Sequence, residues 1–245
     1  MVKRLFDVII AFIILLFFSV IIMLLLIVVW YQDFRFPLYI PSRVGKDGRL
    51  FRMFKLRTMV INADKSGVDS TSSKDPRITT MGKFIRKYKL DEMMQLWNVL
   101  NGSMSLVGPR PNVKRETDLY TDEEKKLLTV KPGITDFASI VFADENDILR
   151  DSKDPNLDYN RLIRPWKSRL GLVYIENQSF FLDIKLLLLT VLNVFSRSLA
   201  LQGVQNILLD LNVNQKLRQV SSRNDVLEPY PPPGAKEIVI ARCID

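Results

Sequence analysis

An apolar run near the N-terminus limits the possible folds more than any other feature of this chain. Between Leu5 and Trp30 only Asp7 and Ser19 interrupt the apolar residues. About 20 such residues are enough for a helix to cross a bilayer. The run is too long for the core of a signal peptide, and no small-residue cleavage site follows it. We therefore predict that residues 1–33 form a membrane helix that remains in the mature protein.

Basic residues flank this run on both sides. Lys3 and Arg4 precede it, and many lysines and arginines lie between positions 35 and 57. Since Lys and Arg are enriched on the cytoplasmic side of membrane proteins, both flanks are expected there. A re-entrant helix satisfies both, and Ser19 near its middle can bond to the preceding turn and favour a bend. A straight span is the alternative, because the run contains no proline to break it.

Asp7 is the one charged residue inside the apolar run. Carboxylates in membrane segments usually have a partner, and Arg4 lies on the same helical face three residues earlier. We interpret Arg4, Asp7 and Ser19 as structural residues of the membrane helix.

The composition restricts the kinds of partner and of active site that this chain can have. The excess of 35 Lys and Arg over 27 Asp and Glu gives a formal net charge of +8, which favours an anionic partner. Because the basic residues adjoin the apolar run, membrane phospholipid is expected and nucleic acid is not. The chain has no histidine, which excludes Ser-His-Asp and Cys-His nucleophile systems and His metal sites. Its single cysteine, Cys243, excludes a disulfide within one chain.

The remaining sequence predicts short elements joined by turns. A Lys46-Asp47-Gly48 turn between β-prone stretches predicts a hairpin, and helical periodicity from Met81 to Leu100 contains a break near Lys89-Leu90. The segments NGSMSLVGPRP and KPGIT are expected to be turns.

Further along the chain, helix signals recur. Thr121 and Glu124 have the spacing of a capping box, and Asp154-Pro155 is a typical helix start. Residues 180–199 are amphipathic, forming either a core helix or one lying in the membrane interface. The tail contains PYPPPG, an extended spacer, and EIVIARCI, a candidate edge strand. The fold class is therefore α/β but mostly α, a monotopic membrane protein with a re-entrant or spanning helix, a small β-hairpin and amphipathic interfacial helices.

Two adjacent carboxylates, Asp91 and Glu92, stand between basic residues and an apolar stripe. Their ordinary interpretation is a solvated helix start. The functional interpretation is phosphoryl transfer, which needs a nucleophile, a metal and cations for the transition-state charge. A carboxylate can attack without a general base, which suits a chain without histidine.

Several stretches, in order, resemble the bacterial sugar transferases, the monotopic phosphoglycosyl transferases. They cover most of the first 200 residues: KRLFD, RVGKDGRLFRMFKLRTM, DPRITTMGKFIRK, LDEMMQLWNVLNGSMSLVGPRP, KPGIT and YIENQSFFLDIKLLLLTV. The resemblance implies transfer of a sugar 1-phosphate from a UDP-sugar to undecaprenyl phosphate, with release of UMP through a phospho-aspartyl intermediate. This would be the first membrane step of polysaccharide, including exopolysaccharide, or glycoconjugate assembly, on the cytoplasmic face of the bacterial inner membrane.

The resemblance also implies roles for particular residues. Asp91 corresponds to the nucleophile and Glu92 to the residue that holds Mg²⁺. Phosphate binding falls to a set of basic residues: Lys55, Arg57, Arg77, Arg86, Lys87 and Arg110.

The sequence departs from the family pattern at several places. The bend of the membrane helix lacks a Ser-Pro pair, since Val20 follows Ser19. The dyad is followed by Met93-Met94 where Leu-Pro is common. After KPGIT the usual arginine position holds Ala143, and the segment is acidic at Asp144, Glu145 and Asp147. These last changes leave the nucleotide and the sugar undetermined.

We divide the chain into a membrane helix at 1–33, a catalytic domain on the cytoplasmic face at 34–201 and a C-terminal tail at 202–245. A homo-oligomer is left open by the sequence. The rival hypothesis is a non-catalytic membrane-anchored protein that binds lipid or assembly partners. Such a protein would keep the basic surface and would not need Asp91 and Glu92.

Overall fold

The N-terminal apolar run folds as two helices in the computed structural model, which describes residues 2–66 and 70–240. Helix α1 spans Val2–Phe17 and helix α2 spans Ser19–Tyr31, and the two axes are bent by 64°. Among the described residues no single helix is long and apolar enough to cross a bilayer, but this bent pair meets that requirement jointly. Such a pair fits either a broken span or a re-entrant loop.

The bend occurs without proline. The Ser19 hydroxyl donates to the carbonyl of Leu16 at 2.8 Å, across the break at Phe18. This is the bond to the preceding turn that the sequence predicts. A hydroxyl that competes for a backbone carbonyl bends helices. Ser19 therefore explains a bend that occurs here without a proline.

Asp7 is only 4% exposed, and its partner differs from the predicted one. Its carboxylate accepts a hydrogen bond from the Ser105 hydroxyl at 2.7 Å and faces the Leu106 amide at 3.4 Å. Arg4 donates instead to the carbonyls of Val99 and Leu100, at 2.5 and 2.9 Å. The predicted Arg4–Asp7 pair is therefore wrong. Both residues are structural, but each one joins α1 to the body of the protein.

The rest of the described chain consists of short strands and helices. The strands are β1 (Leu38–Tyr39), β2 (Ser42–Val44), β3 (Leu50–Arg52), β4 (Lys55–Leu56), β5 (Ser105–Val107) and β6 (Gly133–Thr135). The remaining helices are α3 (Thr80–Lys87), α4 (Gln95–Asn101), α5 (Lys114–Thr117), α6 (Phe137–Val141), α7 (Glu145–Ile148), α8 (Pro155–Asp158), α9 (Arg164–Glu176), α10 (Phe180–Phe195), α11 (Arg197–Asp210) and α12 (Gln215–Ser222). The predicted fold class is confirmed in its coarse form, as mostly helical with a small strand content.

Three two-stranded sheets connect these elements. The predicted hairpin is confirmed as the antiparallel pair β2–β3 around the turn at Lys46–Gly48. Outside it, β1 and β4 pair antiparallel. The third sheet pairs β5 and β6 in parallel, inside segments that the sequence predicts to be turns. That prediction is wrong because three-residue strands flanked by Gly and Pro carry too little periodicity to be recognised.

The predicted break in the helical periodicity near Lys89-Leu90 is confirmed, because α3 ends at Lys87 and a new helical turn begins at Leu90. A short 3₁₀ helix, Leu90–Met94, continues into α4. The capping box is also confirmed, because Thr121 and Glu124 exchange two hydrogen bonds of 3.1 Å. They open a 3₁₀ segment at Glu124–Thr129, and Asp154 caps α8 through its bond from the Leu157 amide at 3.1 Å. A π-helical turn, Tyr159–Ile163, leads from α8 into α9.

The main core lies between α6, α9, α10 and α11 and extends to α1 and α4. Its centre includes Phe137, Leu170, Tyr174, Leu186 and Leu208, all fully buried. A second small cluster, Val29, Leu56 and Ile85, joins α2 to β4 and α3. The elements that carry the candidate site are thus held between the bent helix pair and the main core.

Helix α10 ends at Phe195, four residues earlier than predicted. The apolar face predicted from the sequence, which includes Phe181, Leu188 and Phe195, is largely exposed. The buried side instead carries Leu182, Leu186 and Asp183, whose carboxylate accepts from Tyr174 at 2.6 Å and is paired with Lys3. An exposed apolar face is typical of a helix lying in the membrane interface.

The tail packs on the body. The ring of Tyr230 stacks on Trp166 with 4.4 Å between centroids, and its amide donates to the Arg161 carbonyl at 2.9 Å. No strand occurs in the described part of the tail, up to residue 240. The rest of the predicted edge strand, with Cys243, lies outside the described residues.

Candidate active site

Asp91 and Glu92 lie in the first turn of the 3₁₀ helix that follows α3. Lys89, immediately before this turn, has a left-handed backbone with φ of 53°. This conformation ends α3 and lets the chain restart in a new direction at Leu90. Both carboxylates are mostly buried, with 13% and 19% of their side chains exposed.

Two cations from distant parts of the chain meet this pair. The Lys55 Nζ of β4 is 3.8 Å from Glu92 Oε1 and 4.0 Å from Asp91 Oδ2. The Arg110 Nη2 donates to Glu92 Oε1. Arg110 stands just after β5, where the Gly133 amide donates to the Pro109 carbonyl at 3.0 Å. The parallel pair β5–β6 therefore fixes the backbone from which Arg110 reaches the dyad.

Arg86 occupies a third side of the site. Its Nε donates to the Thr58 hydroxyl at 2.8 Å, which holds the guanidinium between α3 and the segment after β4. This arrangement depends on Gly82, because a Cβ at that position would lie 2.0 Å from the Thr58 carbonyl oxygen. Helix α3 can approach so closely only because residue 82 has no side chain.

The surroundings shift the pKa values of the two carboxylates in opposite directions. Burial raises the pKa of Asp91, and the nearby Lys55 offsets only part of that effect. Burial also raises the pKa of Glu92, but the positive charges of Arg110 and Lys55 lower it by more. The pKa of Glu92 therefore lies well below its usual range. Burial in turn lowers the pKa of the Lys55 ammonium, and the neighbouring Arg110 adds to this lowering. Adjacent acids with separated pKa values are typical of sites where each acid has its own task.

These groups line one cavity of ≈ 1780 Å³. Its charged lining around the dyad consists of Asp91, Glu92, Lys55, Arg86, Lys89 and Arg110. Two carboxylates against four cations leave an excess of positive charge. The cavity is therefore suited to a substrate that carries phosphates.

The other predicted phosphate ligands are placed differently. Arg57 directs both terminal nitrogens at the Asp33 carboxylate, each at 2.6 Å, and its Nε at the Phe36 carbonyl at 2.9 Å. This residue joins the end of α2 to β4. Arg77 is paired with Asp75 at 2.6 Å, and Lys87 is exposed, with its Nζ 5.3 Å from the centre of the Tyr88 ring. All three line the cavity, and the partners given above are Asp33 for Arg57, Asp75 for Arg77 and the Tyr88 ring for Lys87.

The acidic side chains of the segment after β6 form ion pairs with arginine and lysine side chains. Asp144 pairs with Arg197 at 2.8 Å and with Arg223 at 3.2 Å, and Glu145 pairs with Lys167. Asp147 pairs with Arg150 at 2.6 Å. The segment therefore does not present a free negative surface to a phosphate.

Sequence reasoning missed Thr58, Lys89 and Lys167. Thr58 orients Arg86, Lys89 lies beside both carboxylates, and Lys167 lines the cavity from α9. For Lys89 a signal was present, since it precedes the dyad within a basic cluster. Thr58 and Lys167 carry no sequence signal, because only the packing of β4 and α9 brings them to the cavity.

Comparison with known proteins gives consistent matches. The family described as bacterial sugar transferase matches residues 1–197. The sugar transferase EpsL of Bacillus subtilis is 37% identical over 163 residues, which are 66% of this chain and 70% of that protein. The UDP-galactose-lipid carrier transferase of Erwinia amylovora is 35% identical over 176 residues, which are 66% of this chain and 34% of that protein.

A third relative is the undecaprenyl-phosphate galactose phosphotransferase of Salmonella typhimurium. It is 35% identical over 175 residues, which are 65% of this chain and 33% of that protein. The chain thus spans about a third of the length of several curated relatives that it matches. The match over residues 1–197, with the dyad and its cations inside it, shows that this chain belongs to the bacterial sugar transferase family.

Proposed function

We propose that the protein transfers a sugar 1-phosphate from a UDP-sugar to undecaprenyl phosphate and releases UMP. The observation that carries this proposal is the pair of adjacent carboxylates, with opposite pKa shifts, inside a cation-lined cavity. The names of the relatives from Erwinia amylovora and Salmonella typhimurium support a UDP-sugar donor and a lipid-phosphate acceptor.

In the first step, an oxygen of Asp91 attacks the phosphorus that carries the sugar. A bond forms between this oxygen and phosphorus, and the bond from that phosphorus to the bridging oxygen breaks. The bridging oxygen leaves with the electron pair as part of UMP. Lys55 and Arg110 lie where they can stabilise the negative charge on the diphosphate oxygens.

In the second step, a phosphate oxygen of undecaprenyl phosphate attacks the same phosphorus. The bond to the Asp91 oxygen breaks, and the carboxylate is restored. The product is a sugar linked to the lipid through a diphosphate. Arg86 lies on the Asp91 side and is suited to hold an incoming phosphate, because Thr58 fixes its orientation.

Mg²⁺ is the proposed cofactor, with Glu92 as its protein ligand. Within the described ranges no group of three or more acidic, His or Cys side chains can hold a metal alone. Mg²⁺ commonly uses one or two carboxylates together with substrate phosphates, and the ionised Glu92 at the cavity fits this mode. When bound, the metal would neutralise charge on the diphosphate.

The location follows from the same proposal. The bent pair of α1 and α2, together with the exposed apolar face of α10, would hold the protein at the bacterial inner membrane. The cavity would then face the cytoplasm, where soluble UDP-sugars are available.

A panel of UDP-sugars tests the proposed reaction. The purified protein is incubated with Mg²⁺, undecaprenyl phosphate and each of UDP-glucose, UDP-galactose and UDP-N-acetylgalactosamine, and UMP release is measured. At least one donor should give UMP and a lipid-linked sugar diphosphate. A non-catalytic lipid- or partner-binding protein would give no UMP with any donor and equal cellular function in a variant with both Asp91 and Glu92 changed to Ala.

A further inference from the structure

The chain continues beyond the family-matched residues 1–197, and this C-terminal extension is folded onto the body. Helix α11 packs against α10 and α6, and α12 packs against α11 and α9. The segment after α12 is fixed at Tyr230, which stacks on Trp166, and at Pro231, whose carbonyl accepts from Arg169 at 2.9 Å. The extension therefore has a definite position relative to the cavity.

Arg223, the C-cap residue of α12, reaches into the body from this extension. Its Nη2 donates to Asp144 Oδ2 at 3.2 Å, and its guanidinium lies 5.4 Å from the centre of the Phe142 ring. Only 11% of the Arg223 side chain is exposed. The Arg197 Nη2 lies 2.8 Å from the other oxygen of Asp144 as an ion pair without hydrogen-bond geometry, so Arg223 makes the hydrogen bond to this carboxylate.

Asp144 lies within a wall of the cavity. Its neighbours Phe142, Ala143 and Glu145 all line that space. Glu145 is paired with Lys167, which also lines the cavity. A displacement of Asp144 would therefore be passed to Glu145 and Lys167.

The polarity of the residues in and beside this wall indicates which substrate it contacts. The lining here contains the polar or charged residues Ser139, Glu145, Asn146 and Lys167 beside the apolar residues Phe142 and Ala143. A polyprenyl chain needs continuous apolar surroundings, whereas a nucleotide sugar has polar groups along its whole length and one flat base face that an apolar side chain can cover. The wall is therefore suited to the soluble donor.

We propose that Arg223 is a positioning residue for the nucleotide-sugar donor and that it acts through Asp144 on the wall formed by residues 142–146. This inference rests on the proposed transferase function. It assigns part of the donor site to an extension that lies outside the family-matched residues.

The test compares Arg223→Gln with the wild type by steady-state UMP release, using the UDP-sugar that the wild type turns over best. We expect KM for that donor to rise about tenfold and kcat to change by less than about twofold, because the wall shifts while the dyad stays in place. Arg223→Lys should recover part of the loss, since it keeps the charge near Asp144.

Arg218→Gln is the matched control. Arg218 lies in the same helix, and within the described residues its guanidinium forms no ion pair with the cavity wall. Its KM should equal that of the wild type, whatever its effect on the melting temperature. A second control combines Arg223→Gln with Asp144→Asn, and the effects on KM should be far from additive if Arg223 acts through Asp144.

The inference is overturned if Arg223→Gln keeps the wild-type KM, if Arg218→Gln raises KM equally, or if the Arg223 and Asp144 effects are additive. These outcomes are distinct from failure of the proposed function, in which the wild type itself releases no UMP from any UDP-sugar.

Discussion

At the scale of single residues, Asp91 and Glu92 differ although they are neighbours with the same charge. Lys55 contacts both, but Arg110 donates only to Glu92. Burial therefore determines the direction of the Asp91 shift, whereas cations determine that of Glu92. The two neighbouring carboxylates therefore have different electrostatic environments, one set mainly by burial and the other by cations.

Asp91→Asn should abolish turnover while leaving the fold intact. We expect UMP release to fall by at least about 10³-fold, because the amide cannot form the covalent intermediate. Glu92→Gln should lose less and should regain part of its rate at higher Mg²⁺ concentration. Intact-mass measurement with a UDP-sugar should show a phosphosugar adduct in the wild type and none in Asp91→Asn. Wild-type turnover in Asp91→Asn would contradict the nucleophile assignment.

The same substitution has a predicted effect on stability. Since the folded-state pKa of Asp91 lies above its ordinary value near 3.8, ionisation costs the folded state stability as the pH rises through that folded-state pKa. Asn cannot ionise, so Asp91→Asn should melt at a higher temperature than the wild type at neutral pH. The difference should vanish below about pH 3.8. Melting curves across this pH range check it, and a lower melting temperature at neutral pH would contradict the assigned direction.

Arg110→Ala should shift the pH dependence of activity. Arg110 lowers the pKa of Glu92 and, to a smaller extent, that of Asp91. Removing it raises both, so the acidic limb of the kcat/KM profile should move to higher pH. Arg110→Lys, which keeps a charge, should move the limb less. A limb that stays in place or moves to lower pH would show that neither carboxylate controls it.

At the scale of elements, the site depends on close approaches between short segments. Helix α3 contacts the backbone after β4 at Gly82, and the parallel pair β5–β6 carries Arg110 into position. These short elements bring Lys55, Arg86 and Arg110 from three segments to the two carboxylates of the 3₁₀ helix.

Gly82→Ala should separate α3 from Thr58. The added Cβ would lie 2.0 Å from the Thr58 carbonyl, so backbone must move and Arg86 loses its hydroxyl partner. We expect destabilisation of about 1–3 kcal/mol and an activity loss larger than the unfolded fraction explains. Chemical denaturation and UMP release measured together check this. Lys83→Ala is the control, because this residue lies in the same helix and its side chain is exposed.

At the scale of the whole molecule, α1 is attached to the body by polar contacts as well as apolar ones. Asp7 accepts from Ser105 next to β5, and Arg4 binds the carbonyls at the end of α4. The helix that would enter the membrane is thereby connected to the same short sheet that positions Arg110. Asp7→Ala should cost about 1–3 kcal/mol of stability, because the buried Ser105 hydroxyl loses its acceptor.

A cysteine-labelling experiment distinguishes the two membrane arrangements. Cys243 is replaced by Ser, and a single cysteine is placed at residue 2, in front of α1. If the bent pair is re-entrant, this cysteine should react with an impermeant reagent only after the cells are permeabilised. Labelling in intact cells would show that the pair spans the bilayer. A cysteine at Asp225, which is exposed in the tail, reports in the same assay on which side of the membrane the body lies.

Local signals in the sequence determined much of this protein. The apolar run, the hairpin turn, the capping box at Thr121 and the break before Asp91 all follow from the chemistry of neighbouring residues. Several motifs in order were sufficient to identify the family, and the resemblance named six basic residues, of which Lys55, Arg86 and Arg110 line the cavity around the dyad.

Only the tertiary structure decided where each charge is directed. Asp7 pairs with Ser105 and not with Arg4, and Arg57 is directed at Asp33. The apolar face that the sequence predicts for α10 is the exposed one. Arg223 of the tail bonds to Asp144 in the cavity wall. The physical reason is that hydrogen bonds and ion pairs between residues far apart in sequence depend on packing, whereas helix starts and turns depend on the residues next to them.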